Sequence, residues 1–132
     1  MQDMRYLNLF GKITQISTRF CFAYNNAIIF CVPKTLVSRA IGEKGRNIRK
    51  INEILNKRVK VISNPEGILE VKKFIESIVN PVTFKDLEVK DNEIILTAGS
   101  QSKAALIGRN KRRLFELQKI SRDYFNKELK IV

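Results

Sequence analysis

The sequence predicts an α+β fold built from one small module used twice. Three observations carry that prediction. The 132-residue chain matches itself at an offset of 66, half its length. Each half holds an Ile-Gly pair followed by a basic, helix-forming stretch. Each half also runs through the same order of patterns: helix, strand, strand, helix, glycine loop, helix, strand.

The repeat is anchored on Ala40-Ile41-Gly42-Glu43-Lys44-Gly45-Arg46-Asn47-Ile48 and Leu106-Ile107-Gly108-Arg109-Asn110-Lys111-Arg112-Arg113-Leu114. Under the offset, Ile41, Gly42, Arg46 and Ile54 meet Ile107, Gly108, Arg112 and Ile120, while Ile48 and Ile51 meet Leu114 and Leu117. The Asn64-Pro65-Glu66-Gly67 turn signal separates the copies, giving modules 1–63 and 64–132.

In the first copy, Leu7, Phe10, Ile13 and Ile16 recur at helical spacing, predicting a helix over 4–16. Residues 18–24 and 27–32 are aromatic and β-branched and read as strands joined at Asn25-Asn26, since Asn tolerates the positive φ of a tight hairpin. An even-length loop pairs Cys21 with Phe30 and turns Cys21 and Cys31 to opposite faces, against a disulfide between them. Pro33 ends the strand. A short helix follows over 34–41, then the glycine loop, then a helix over 46–56 with Ile48, Ile51, Ile54 and Leu55 inward. Residues 58–62 form the last strand. The second copy repeats this with helix 68–79 (Leu69, Val71, Phe74, Ile75, Ile78), strands 82–89 and 93–97, helix 100–107, helix 111–125 and a strand ending at Val132.

Composition narrows the function. Twenty-five Lys and Arg against 13 Asp and Glu give a net charge of +12, which suits a polyanionic partner, nucleic acid before an acidic membrane. The chain has no His, so the commonest general base and metal ligand is missing. Two cysteines without a second pair do not make a zinc site. No paired-carboxylate or nucleotide-binding pattern stands out; Lys44 lacks the glycine spacing and the Lys-Ser/Thr end of a Walker loop. An enzyme is the least favoured class, and no cofactor is expected. The longest apolar run, Ala27–Val32, is too short to span a bilayer, and the polar N-terminus makes the cytoplasm the default location.

Charge placement points to the loops. Residues 1–64 carry net +9 and residues 65–132 net +3, and seven of the ten acids in the second half lie between Glu66 and Glu93. Glycines at 42 and 45 permit a tight reversal. The helix that follows opens on unpartnered N–H groups at the positive end of its dipole, which favours anions. Lys44, Arg46, Arg49 and Lys50 add cations beside them. The second loop, Gly108-Arg109-Asn110-Lys111, has Lys in place of the second glycine, adding bulk where a backbone should approach closely; Arg109, Lys111, Arg112 and Arg113 supply cations instead.

These residues resemble a KH domain, twice: the Gly-x-x-Gly loop lies between two helices, and the preceding helix and strand match the type II order. The tandem pair resembles the archaeal NusA-like transcription termination factors, over 19–33, 40–54 and 106–117. That resemblance implies two type II KH domains, each a three-stranded sheet packed on helices, binding single-stranded RNA in transcription termination, antitermination or elongation. The loop, Gly42, Glu43, Lys44 and Gly45, would clamp the backbone of about four nucleotides. Ile41 and Ile48, together with the last strand from Val59 through Lys60 to Val61, would floor the groove for bases, with Arg46 and Arg49 as cations beside the loop. Gly108, Arg109, Asn110, Lys111, Ile107 and Leu114 are the matching positions, with Arg112 and Arg113 as further RNA-binding cations. Phe20, Phe22 and Tyr24 are read as core rather than as stacking platforms. RNA polymerase is a further candidate partner, although the polymerase-binding and S1 regions of bacterial relatives are absent. A monomer is expected. Two other readings stand beside this one: a ribosomal or ribosome-assembly KH protein, and a helix-turn-helix DNA-binding protein over 36–55, which the hairpins before both helix pairs argue against.

Overall fold

A computed structural model describes residues 4–18, 20–65 and 70–132. Between Asn64 and Pro65 the chain divides into two compact units.

In the first unit, α1 (Met4–Thr14) leads into β1 (Phe20–Tyr24) and β2 (Ala27–Val32). Then come α2 (Val37–Ile41), α3 (Arg46–Leu55) and β3 (Arg58–Ser63). The sheet order is β1-β2-β3, with β1 antiparallel and β3 parallel to β2. A parallel partner requires a crossover, and α2 and α3 are that crossover. The hairpin turns at Asn25 and Asn26, both left-handed, with φ of 51° and 62°. Cys21 lies opposite Phe30, as the even loop requires, and Cys21 and Cys31 are both buried.

The core gathers Phe10, Cys21, Ile28, Phe30, Val32, Ala40, Ile51 and Val61, and the Phe10 and Phe30 rings stack with centroids 4.4 Å apart. Burying such side chains contributes about 1.5–3 kcal/mol each.

Several boundaries differ from expectation, α3 and β3 by a single residue each at their ends. Helix α1 stops at Thr14, whose hydroxyl donates to the Phe10 carbonyl at 2.7 Å, and Gln15 turns left-handed. Strand β1 starts at Phe20, and the Thr18 hydroxyl donates to the Cys31 carbonyl ahead of it. The short helix over 34–41 is a 3₁₀ turn, Lys34–Leu36, followed by α2. One orientation is corrected. Ile54 is 56% exposed rather than inward. The inward stripe of α3 is Ile48, Ile51 and Leu55, whose three- and four-residue spacing leaves Ile54 beside it.

The second unit has α4 (Val71–Val79), β4 (Asp86–Val89), β5 (Glu93–Thr97), α5 (Ser100–Ile107), α6 (Arg112–Phe125) and β6 (Glu128–Ile131). Its sheet order is β4-β5-β6, again antiparallel then parallel. Val71, Phe74, Ile75 and Ile78 are buried, and Phe74 packs against Tyr124 and Phe125 with centroids 5.3 and 5.8 Å away. Ile68 and Leu69, expected to open this helix, lie outside the described residues, as do Glu66 and Gly67 of the boundary turn. Strand β4 begins at Asp86 rather than at Val82, because residues 82–85 are irregular.

Candidate nucleic-acid interface

The two glycine loops follow the same backbone path. Gly42 has φ 82° and ψ 165°, and Gly108 has 76° and 174°. Lys44 and Asn110 are left-handed at 55°/27° and 56°/28°. Gly45 and Lys111 are left-handed at 75°/18° and 61°/21°. In each loop the third residue after the first glycine donates its N–H back to it: Gly45 to Gly42 at 3.0 Å and Lys111 to Gly108 at 3.2 Å.

The dihedrals say which glycine the loop needs. The conformation of Gly42 and Gly108 belongs almost solely to glycine. A methyl at Gly42 would stand 3.0 Å from the backbone nitrogen of Asn47, and one at Gly108 would stand 2.9 Å from Cγ of Arg113. The conformation of Gly45 and Lys111 is the left-handed helical one, which other residues adopt at a cost of about 1–2 kcal/mol. A methyl at Gly45 would meet nothing within 4 Å. The bulk expected to obstruct the second loop therefore does not crowd the protein itself. Lys111 is exposed.

Both loops are pinned from the following helix. Asn47 Nδ2 donates to the Arg39 carbonyl at 3.4 Å, and Arg113 Nη1 donates to the Ala105 carbonyl at 3.0 Å. In the first loop alone, Arg49 Nη1 also donates to the Lys44 carbonyl at 2.6 Å. The sequence did not single out Asn47. Its signal was positional: a polar donor five residues past the first glycine in both copies.

The first acceptor of the loop turn is the Gly42 carbonyl, so the N–H groups of Glu43 and Lys44 precede the hydrogen-bonded ladder. Lys44, Arg46, Arg49 and Lys50 are all exposed around them. In the second loop Arg109, Asn110, Lys111 and Arg112 are exposed, whereas Arg113 is half-buried and engaged with Ala105. Ile41 and Ile48 are half-buried against the core beside the loop, and Val61 is buried within that core. Lys60 is set apart, because strand alternation turns it to the face opposite Val61. Burial, and then repulsion from Arg58, hold its ammonium below the usual 10.5. Of the three aromatics read as core, Tyr24 is buried, Phe22 half-buried and Phe20 39% exposed. Among the described residues no group of acidic, His or Cys side chains could hold a metal, and no helix is long and apolar enough to cross a membrane.

Residues 19–83 match the model of the KH domain family, a stretch that takes in β1 to β3 and runs on past α4. Residues 19–83 thus carry a KH-domain match. The chain is similar to the archaeal proteins called probable transcription termination protein NusA. It is 27% identical to that of Methanococcus vannielii over 89 residues, covering 67% of this chain and 50% of that protein. The figures are 27%, 67% and 47% for Methanocaldococcus jannaschii, and 25%, 67% and 62% for Halococcus morrhuae. These matches therefore take in about half to three-fifths of the relatives' own length. The crystal structure of APE1850 has a similar fold, with a TM-score of 0.69 at 24% identity over 98% of this chain and 96% of that one.

Proposed function

We propose that this chain is a pair of type II KH domains, 1–63 and 64–132, that binds single-stranded RNA without catalysis and acts in transcription, in termination, antitermination or elongation. RNA polymerase is the second partner in this reading. The protein works as a monomer in the cytoplasm. The observation that carries the reading is the loop path shared by Gly42–Gly45 and Gly108–Lys111, with positive φ at the same three positions and exposed cations around it. The names of the archaeal relatives support the link to transcription.

In this mechanism the RNA backbone crosses Glu43–Gly45. Phosphate oxygens take the N–H groups of Glu43 and Lys44 at the positive end of α3. Lys44, Arg46 and Arg49 supply charge-assisted contacts. The open space over Gly45 lets the sugar-phosphate chain lie against the protein backbone. Bases splay onto Ile41 and Ile48, the apolar border beside the loop. The second loop contributes through Arg109, Lys111 and Arg112.

The test is Glu43→Asp combined with Lys44→Asp, assayed by anisotropy of a labelled single-stranded RNA at fixed salt. Asp suits the left-handed backbone at 44, so the fold is retained, which circular dichroism checks. Two acids facing the phosphates should cut affinity at least tenfold. Unchanged affinity in the folded variant overturns the reading for this loop.

A further inference from the structure

The solvent face of α6 carries an exposed aromatic residue among cations. Arg112, Phe115, Lys119 and Arg122 are all exposed and follow one another at spacings of three, four and three, so they form a single stripe. Phe115 is 57% exposed. More than half of the side chain is left to water, so packing accounts for only part of its presence there. The stripe begins where the second loop ends, since Lys111 and Arg112 open the helix one turn before Phe115.

The first unit treats this position differently. Its equivalent of Phe115 is Arg49, which donates to the Lys44 carbonyl and braces the loop. With Phe at 115, no guanidinium can reach the matching Asn110 carbonyl from that position. The second unit has thus exchanged a loop brace for an exposed aromatic ring, and its second glycine for a cation.

We infer that Phe115 is a stacking platform for an unpaired nucleobase of the bound RNA, with Lys111 and Arg112 on one side and Lys119 on the other holding the flanking phosphates. Aromatic faces accept any base, and cations along the same track neutralise the backbone between stacked bases. Arg122 is paired with Glu128 at 2.9 Å, and the charge of Lys111, Arg112 and Lys119 around the ring favours a polyanion with flat apolar groups over an apolar protein segment. The second unit then grips RNA through side chains, where the first uses backbone N–H groups and two glycines. This inference rests on the RNA-binding reading above.

The chain has no Trp, so Phe115→Trp gives one fluorescent reporter. On adding a single-stranded RNA oligonucleotide its emission should be quenched, and an abasic oligonucleotide with the same phosphates should leave it bright. Phe115→Ala should weaken binding of the normal oligonucleotide on the order of tenfold, with the salt dependence unchanged because no phosphate contact is lost. It should leave binding of the abasic oligonucleotide unchanged. Full affinity in Phe115→Ala, or equal quenching by both oligonucleotides, overturns the stacking role while the RNA reading stands. If the unmodified chain binds no RNA, the function proposed above fails, and this inference with it.

Discussion

Asn47 and Arg113 do the same work from equivalent positions: each donates from its side chain to a carbonyl eight residues back, Arg39 and Ala105, at 3.4 and 3.0 Å. The residues differ in size, charge and reach. What they share is the tie between the start of the second helix and the end of the first. The tie crosses directly over a glycine, Gly42 or Gly108, where a Cβ would occupy the space of the donor residue.

That geometry ranks the glycines. Gly42→Ala forces a glycine-only backbone and a 3.0 Å clash with Asn47, and should cost about 2–4 kcal/mol. Gly45→Ala meets no neighbour and pays only the left-handed backbone, about 1–2 kcal/mol. Urea unfolding of the two variants checks the order. Equal losses would mean that the tie over Gly42 does not constrain the loop.

The repeat and its element order were legible because they rest on periodicity and on Ile-Gly, signals that survive single substitutions. The hairpin register was legible because Asn25-Asn26 fixes an even loop, and a one-residue slip would turn Phe30 out of the core. The difference between the two glycines was not legible. A sequence shows Gly at both 42 and 45, and only φ and ψ reveal that the first is obligatory and the second replaceable. For that reason Lys111 looked like a defect, although the loop path around it is preserved. Ile54 misled for a related reason. It meets buried Ile120 in the repeat, yet falls beside the inward stripe of the shorter helix α3. Phe115 escaped notice because exposure, rather than residue type, is what makes it unusual.

Arg49 is the cation most firmly held at the first loop, through its 2.6 Å bond to the Lys44 carbonyl. A held cation gives a phosphate contact with little further loss of side-chain freedom. Arg49→Ala should reduce the slope of log affinity against log salt by about 0.7, the value of one single-strand phosphate contact. Arg49→Lys should keep the slope. Because the bond lies at the surface, the stability of either variant should stay within about 0.5 kcal/mol of the parent. RNA titrations at several salt concentrations check this, and an unchanged slope in Arg49→Ala removes Arg49 from the interface.

Lys60 makes the alkaline stability of the protein predictable in sign. Its pKa in the folded state lies below 10.5, chiefly through burial beside Ile29 in the sheet and then through Arg58. Between the depressed value and 10.5 the unfolded chain binds more protons than the folded one, so this residue makes stability rise with pH there. Below that window both states are protonated, and the fold carries the full cost of a partly buried charge. Lys60→Met should therefore unfold at higher urea than the parent at neutral pH, and its advantage should shrink as pH approaches 10.5. Parallel urea titrations across that range measure the difference. An advantage that grows with pH contradicts the assignment.

Lys111→Gly separates the two ways a loop of this shape can hold RNA. The substitution relieves a left-handed lysine at φ 61°, which should stabilise the second unit by up to about 1 kcal/mol once the added freedom of glycine in the unfolded chain is counted. It also clears the space that is open over Gly45 in the first loop, and removes one cation. If the second loop works by close backbone approach, the variant should bind single-stranded RNA more tightly in spite of the lost charge. If it works through side chains, as the exposed stripe from Lys111 to Arg122 argues, affinity should fall several-fold and the salt slope by about 0.7. The second outcome is the expected one. Tighter binding would show that Lys111 obstructs the loop, and that the loss of the second glycine weakened a clamp without replacing it.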